Sequence, residues 1–434
     1  MFSWEFPPMI AGGLAMACYG MVKSLLKLGI EVDLVLPTKE MVYFPFRRVE
    51  DIDTMPVVFM DPVKQNEFRS YSFETVYSKM EYIGMTHMPE TYWSPAETQT
   101  WHSSMGYSHA IHREFATMEE RAMYNLFEYL RGDEDIFKKV QEMTIRAKRF
   151  AQVLKYDMIH AHDWLTYPAG MISKKVSGKP LLTHMHATEF DRAGGYGDGR
   201  IHSLESTGMS YADLVICVSK YTANMVISRY GIDTQKIRIL HNAYDLENIP
   251  EKKQRIFKGP TVLFLGRITL QKGPDYFIEV AKRVLEKNPH ARFVMAGSGD
   301  MARKLLHKTA SFKLRNRFVF AGFLNRQQVE EMLNAVDIYV LPSVSEPFGI
   351  APLEAMAYGV TAVISKQSGV SEVVENAYKI DFWDIDEMTR IINYLIENPE
   401  ICEKMGTDGK SEVLRIGWDE VADKLKAIYE ELNY

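Results

Sequence analysis

Two cations in the second half of the chain have the types and spacing that phosphate chemistry requires. In GRITLQKG, Arg267 and Lys272 flank a predicted strand-to-helix turn with four residues between them. Two cations near a helix N-terminus favour a polyanion such as a diphosphate, because free backbone N–H groups face the same ligand. The spacing alone leaves a second interpretation open, in which both side chains are solvated surface charges.

Two carboxylates follow in PSVSEPFGIAPLEAMAYG. The pattern predicts a helix that begins near Ile350, with Pro352 in its first turn, where its missing N–H costs little. Glu346 then precedes the helix and Glu354 lies about one turn into it. We expect the pair to accept hydrogen bonds from two ends of a ligand whose phosphates lie at the helix N-terminus. Alternatively, Glu346 complements the helix dipole and Glu354 is solvated.

A glycine pair opens the first predicted helix of the chain. Gly12 and Gly13 in AGG permit a tight turn and a close approach of backbone N–H groups to an anion. Such a pair can also merely turn the chain, but its position between a strand and a helix favours the anion site.

The elements that must position these residues alternate between strand and helix. Short apolar runs such as DMIHAHDW, PLLTHMH, TVLFLGR and DIYVLPS read as buried strands, and amphipathic helices separate them. We therefore predict an α/β protein with two facing Rossmann-like domains, whose ligands lie beyond the carboxyl ends of the strands. The predicted parts are a first domain over 1–247 with an insertion around 88–150, a second domain over 258–415, and a helix over 416–434 that crosses back to the first domain.

Composition excludes several classes of protein. The 434 residues are 46% hydrophobic and 25% charged with a net charge of −6, which argues against nucleic acid as the main partner. Cys18, Cys217 and Cys402 lack CxxC spacing and are interpreted as reduced thiols of a cytoplasmic protein. No uncharged apolar run reaches membrane-spanning length, so membrane association is not expected.

GRITLQKG followed by PSVSEPFGIAPLEAMAYG resembles the Arg-x4-Lys and Glu-x7-Glu signature of retaining glycosyltransferases, the family 4 and glycogen synthase-like enzymes. PPMIAGGLA, HAHDW and LHNAYD resemble further motifs of these families. The resemblance implies the GT-B fold and transfer of a hexose, glucose in the first instance, from a nucleoside diphosphate sugar to an acceptor hydroxyl. An α-glucan is one acceptor that it implies, and no cofactor is expected beyond the donor.

The same resemblance implies residue roles. Arg267 and Lys272 would hold the diphosphate and stabilise the leaving group, Glu346 would face the sugar near its 3-hydroxyl, and His186 would bind its 6-hydroxyl. Glu354 would bind the ribose. The remaining donor contacts would come from backbone groups, namely those of Gly12, Gly13, Phe323, Phe348, Gly349 and Ile350. Ile10 stands where bacterial glycogen synthases carry lysine, which favours UDP- or GDP-sugars over ADP-glucose.

No metal site is expected. HAH and HMH contain pairs of histidines, but the histidines of each pair are predicted to face opposite sides of the strand. In the resembling families Arg and Lys replace a metal. Asp163 and Trp164 are predicted to shape the acceptor or sugar wall. Three alternatives stay open: an epimerase- or phosphorylase-type relative, and a non-catalytic protein that binds nucleotide sugars. The acceptor, carbohydrate or small molecule, and homo-oligomerisation also stay open.

Overall fold

The computed structural model describes most of both predicted domains, and the statements below concern those residues: 1–6, 13–37, 57–59, 126, 129–130, 135–244, 257, 259–314 and 317–432. Gly12, Ile10, residues 245–256 and most of the predicted insertion over 88–150 lie outside them. Within that insertion, the described part includes the helix Asp135–Val153.

The first domain is built on parallel strands. Phe2 pairs with Val35 on one side and Ala161 on the other, and so joins the strand pair β1–β2 to the sheet β3–β4–β5–β6. The strands are β1 (Leu34–Leu36), β2 (Val57–Phe59), β3 (Ile159–His162), β4 (Leu181–Met185), β5 (Leu214–Cys217) and β6 (Ile237–Ile239). Residues of β1, β3, β4 and β5 are all buried, as expected for strands that helices cover on both faces. The helices are α1 (Gly13–Lys27), α2 (Asp135–Val153), α3 (Tyr167–Ser177), α4 (Glu189–Ala193), α5 (Gly199–Tyr211) and α6 (Lys220–Tyr230).

The second domain contains a parallel sheet of six strands in the order β12–β11–β10–β7–β8–β9. These strands are β7 (Thr261–Leu265), β8 (Arg292–Ala296), β9 (Phe318–Gly322), β10 (Ile338–Leu341), β11 (Thr361–Ser365) and β12 (Tyr378–Ile380). The chain builds outward from β7 to β9 and then returns to place β10 beside β7. The two turns that carry the predicted site therefore leave the sheet at its topological switch point, where open α/β sheets bind ligands.

Helices cover this second sheet, and the last helix leaves it. They are α7 (Pro274–Lys287), α8 (Ala302–Ser311), α9 (Arg326–Ala335), α10 (Ile350–Ala357), α11 (Ile385–Glu397), α12 (Pro399–Val413) and α13 (Trp418–Leu432). Helix α13 packs against α1 of the first domain. Ser24 donates a 2.9 Å hydrogen bond to Asp419, and a Cβ atom at Gly20 would lie 2.2 Å from the Trp418 ring. The glycine therefore allows the close approach of the two helices.

The predicted α/β architecture of two Rossmann-like domains is confirmed. Cys18, Cys217 and Cys402 are buried thiols that form no disulfide. Among the described helices, none combines the length and the apolar composition that crossing a membrane requires.

Candidate active site

Glycines allow the turn after β7 to pack closely against neighbouring backbone. Gly297 has a φ of +136°, and a Cβ atom there would lie 1.9 Å from the Gly266 carbonyl oxygen. Gly273 has a φ of +66°, and a Cβ atom there would lie 1.9 Å from the Pro342 carbonyl oxygen. The turn that carries Arg267 and Lys272 is thus held against the turn that leaves β10. Arg267 is exposed at the end of β7.

Lys272 and Glu346 form an ion pair between these two turns. The Lys272 ammonium contacts the Glu346 carboxylate, whose side chain is 6% exposed, and Ser343 donates to the same oxygen at 3.3 Å. Gly349 then adopts a φ of +96° and α10 begins at Ile350, as the sequence predicts. A predicted phosphate-binding cation and a predicted sugar-facing carboxylate are therefore in contact with each other.

Glu354 lies inside α10 and points at two residues that the sequence analysis missed. Tyr244 donates to its carboxylate at 3.3 Å, and the Arg326 guanidinium lies 3.6 Å from the same oxygen. Burial raises the pKa of Glu354, while Arg326 opposes that shift. Tyr244 belongs to the LHNAYD motif and Arg326 opens α9, so their shared position with Glu354 depends on the tertiary fold.

His186 follows β4 in the first domain, and its backbone is fixed by Asp163. The Asp163 carboxylate accepts hydrogen bonds from the backbone N–H groups of His186 and Ala187, at 2.7 and 3.3 Å. Asp163 itself has a φ of +58°, a conformation that is strained for a residue with a side chain. A strained acidic residue at a strand end is therefore a positioning group for His186, where the sequence analysis expected a wall residue.

Contacts between the domains bring the His186 segment to the Glu346 turn. Ser345 donates to Asp191 of α4 and lies 3.0 Å from the Tyr221 hydroxyl of α6. Glu372 accepts from the backbone N–H groups of Lys220 and Tyr221 at 2.9 and 2.8 Å, at the N-terminus of α6. These contacts hold the segment after β4 and the N-terminus of α6 against the turn that carries Glu346.

The remaining predicted donor contacts occupy varied surroundings. Gly13 faces Ile350, because a Cβ atom at Gly13 would lie 3.7 Å from the Ile350 Cδ1 atom. Phe348 is 3% exposed and its carbonyl accepts from Val370, so its side chain is part of the second-domain core. Phe323 is 73% exposed at the end of β9.

The prediction that the histidines of HAH and of HMH face opposite sides of their strands is wrong. Residues two positions apart share a face of a strand, and the structure stacks His160 on His162 and His184 on His186, each with ring centroids 4.2 Å apart. All four rings lie on one face of the sheet, and His162 Nδ1 lies 2.9 Å from His186 Nε2. The two-residue spacing in HAH and HMH is the sequence signal that indicates this shared face.

Two protein-family models match the chain. The model described as "Glycosyl transferases group 1" matches residues 245–412, and the model described as "Glycosyltransferase Family 4" matches residues 107–248. The chain is 27% identical to an uncharacterised glycosyltransferase of Methanocaldococcus jannaschii, over 99% of this chain and 97% of that protein. It is 25% identical to a glycogen synthase of Mycobacterium tuberculosis, over 63% of this chain and 68% of that protein.

Structural similarity agrees with the sequence matches. The Anabaena protein HepE, solved in complex with UDP and glucose, superposes with a TM-score of 0.65 at 16% identity, over 99% of both chains. That similarity shows the fold. Taken with the two overlapping family matches, which together cover residues 107–412, it shows that the chain is a GT-B glycosyltransferase similar to family 4.

Proposed function

We propose that the protein is a retaining hexosyltransferase that moves glucose from UDP-glucose to an acceptor hydroxyl. The observation that carries the proposal is the joint placement of Lys272, Glu346 and Glu354 at the switch point of the second sheet. The contact of Ser345 with Asp191 brings the first-domain segment that follows His186 to the same turn. HepE is described with UDP and glucose, and one relative is a glycogen synthase. We therefore choose UDP-glucose as the donor and an α-glucan as the first acceptor to test.

Donor binding would redistribute the Lys272–Glu346 ion pair. A diphosphate near Lys272 and Arg267 competes for the ammonium group, because phosphate oxygens are strong charge-assisted acceptors. Glu346 is then released to accept a hydrogen bond from a sugar hydroxyl. Until the donor binds, Lys272 neutralises the charge of the buried Glu346 carboxylate.

The chemical step needs no protein nucleophile. The bond between the anomeric carbon and the diphosphate oxygen breaks, and the acceptor oxygen forms its bond to the same face of that carbon. The acceptor proton passes to an oxygen of the departing diphosphate. Arg267 and Lys272 stabilise the negative charge that grows on this leaving group, in the role that a divalent metal has in other transferases.

Ribose binding belongs to the Glu354 cluster. Tyr244 and Arg326 hold the Glu354 carboxylate within α10, about one helical turn from the Glu346 segment. A carboxylate accepts two hydroxyl hydrogen bonds readily, and a ribose presents two adjacent hydroxyls. These contacts are the same before and after the glycosidic bond breaks, so they contribute to donor binding and not to the barrier.

The test is a panel of UDP-, GDP- and ADP-sugars, first by thermal shift and then by turnover with glycogen, maltooligosaccharides and small sugars. We expect UDP-glucose to raise the melting temperature most and to give transfer. Lys272→Met should remove both effects. Lys304→Met should retain them, because Lys304 is 71% exposed on α8.

Other outcomes would reject specific parts of the proposal. Binding of a nucleotide sugar without transfer or hydrolysis would indicate a non-catalytic protein. Release of an altered nucleotide sugar would indicate an epimerase. Cleavage of a glucan that depends on inorganic phosphate would indicate a phosphorylase.

A further inference from the structure

The turn that carries Glu346 also contacts the first domain. The N-terminus of α6 lies between that turn and the short helix Gly369–Glu372 of the second domain. We propose that Glu372 is a positioning residue for the transfer reaction, which holds the N-terminus of α6 in place and thereby fixes the turn that carries Glu346. The inference rests on the proposed contact of Glu346 with the donor sugar.

Glu372 joins the two domains through both of its carboxylate oxygens. One oxygen accepts from the backbone N–H of Tyr221 at 2.8 Å. The other accepts from the backbone N–H of Lys220 at 2.9 Å and lies 2.8 Å from His241 Nε2. The first N–H groups of a helix have no partner within the helix and carry partial positive charge, so a carboxylate stabilises them. Burial disfavours the charged form of Glu372, but the hydrogen bonds from His241 and from these N–H groups lower its pKa, so the carboxylate is ionised at neutral pH.

The helix that Glu372 holds contacts the residues on either side of Glu346. Ser219 caps α6 and donates a 2.5 Å hydrogen bond to the Pro347 carbonyl oxygen. The Tyr221 hydroxyl lies 3.0 Å from the Ser345 hydroxyl. A displacement of α6 would therefore remove contacts immediately before and after the sugar-facing carboxylate.

The segment that ends at Glu372 also holds the backbone of Glu346 directly. The Glu346 N–H donates to the Gln367 carbonyl oxygen, and the Gly369 N–H donates to the Glu346 carbonyl oxygen, both at 2.9 Å. Gly369 allows α6 to approach this segment, because a Cβ atom there would lie 2.5 Å from the Ser219 Cβ atom. Glu346 and Glu372 thus belong to one hydrogen-bonded unit, against which the N-terminus of α6 packs.

The proposed nucleotide contacts do not involve α6. Glu354 is held by Tyr244 and Arg326, and Lys272 extends from the turn after β7. Releasing α6 should therefore disturb the sugar contact of Glu346 and leave nucleotide binding unchanged. A general loss of stability would weaken both.

Hydrogen–deuterium exchange tests the positioning step without any substrate. Glu372→Gln keeps the size of the side chain, but it removes the charge and places an amide NH2 group beside a backbone donor. Peptides covering residues 219–223 and 343–349 should exchange about tenfold or more faster in this variant than in the wild type. The matched control is Glu375→Gln, at a side chain that is 85% exposed, and it should exchange at the wild-type rate. An unchanged exchange rate for residues 343–349 in Glu372→Gln would overturn the proposal.

Kinetics test the consequence for the reaction. Glu372→Gln should lower kcat about tenfold or more, while the Kd of UDP stays within about twofold of the wild-type value. Tyr221→Phe removes only the hydroxyl that contacts Ser345 and should also lower kcat. Both changes together should lower kcat less than the product of their separate effects, because they act on one turn. Parallel losses of UDP affinity and kcat, or fully independent effects of the two changes, would overturn the proposal. A wild-type protein that transfers no sugar would reject the proposed function, and the exchange rates would still decide whether Glu372 fixes the turn.

Discussion

Replacing Glu354 with glutamine tests the division of labour between the two carboxylates. The side chain keeps its size but loses its charge, and the partners Tyr244 and Arg326 remain. If Glu354 binds ribose, it contributes equally to the ground state and the transition state. The variant should then bind the donor weakly and turn over at nearly the wild-type rate.

The magnitude follows from the chemistry of the lost contact. A hydrogen bond to a charged group contributes about 1.5–3 kcal/mol, which corresponds to a roughly 10- to 100-fold rise in donor KM. The free energy of unfolding should stay equal or rise, although donor affinity falls. Because burial raises the pKa of Glu354, its ionised form at neutral pH destabilises the folded state relative to the unfolded chain. The free Glu354→Gln variant should therefore melt at an equal or higher temperature.

Glu330→Gln is the matched control. Glu330 pairs with the same guanidinium, with its carboxylate 2.8 Å from Arg326 Nε, but it is 35% exposed on α9. A partly exposed ion pair of this kind contributes about 0.2–1 kcal/mol, so donor KM should change little. Initial rates over a range of UDP-glucose concentrations give both constants. A collapse of kcat in Glu354→Gln with unchanged donor KM would refute the ribose assignment and place Glu354 at the sugar.

Three further predictions concern the first domain and the leaving group. Asp163→Ala should lower kcat about tenfold or more while nucleotide affinity is unchanged, since it removes the acceptor for the backbone N–H groups of His186 and Ala187. Asp163→Asn should lower kcat less. The control Asp157→Ala, at a side chain that is 90% exposed, should leave kcat unchanged. Burial raises the pKa of Glu205 to about 7 from 4.5, so wild-type protein should lose unfolding free energy relative to Glu205→Gln as pH rises from 4.5 through 7; a pH-independent difference between the two would contradict this. Chelator in the assay should leave transfer intact, and a loss that magnesium or manganese restores would show that Arg267 and Lys272 do not suffice.

The strands were predictable because buried parallel strands read as short apolar runs. TVLFLGR, DIYVLPS and PLLTHMH each contain the strand that the structure shows. Helix α12 contains Gly406 and Gly409, which disfavour a helix by intrinsic preference. The fold overrides that preference, since a Cβ atom at Gly406 would lie 2.2 Å from the Gly359 carbonyl oxygen. The hydrophobic periodicity of a sequence does not indicate where two backbones pack closely.

The site was predictable where a motif is local and unpredictable where partners are distant. The start of α10 at Ile350 follows from the Pro and Gly pattern around it. The contact of Lys272 with Glu346 joins turns 74 positions apart, and Arg326 and Tyr244 reach Glu354 from separate segments. Such pairings depend on strand order, which single-sequence patterns do not determine. The roles of the candidate residues in catalysis stay predictions.

The stereochemistry of the product tests the central claim most directly. Incubation of the protein with UDP-α-glucose and an accepted oligosaccharide, followed by proton nuclear magnetic resonance of the purified product, reports the configuration of the new glycosidic bond. Displacement on one face of the anomeric carbon, with Lys272 and Arg267 on the leaving diphosphate, predicts an α-linked product from the first turnover. A β-linked product would contradict the account, because it requires attack from the face opposite the leaving diphosphate.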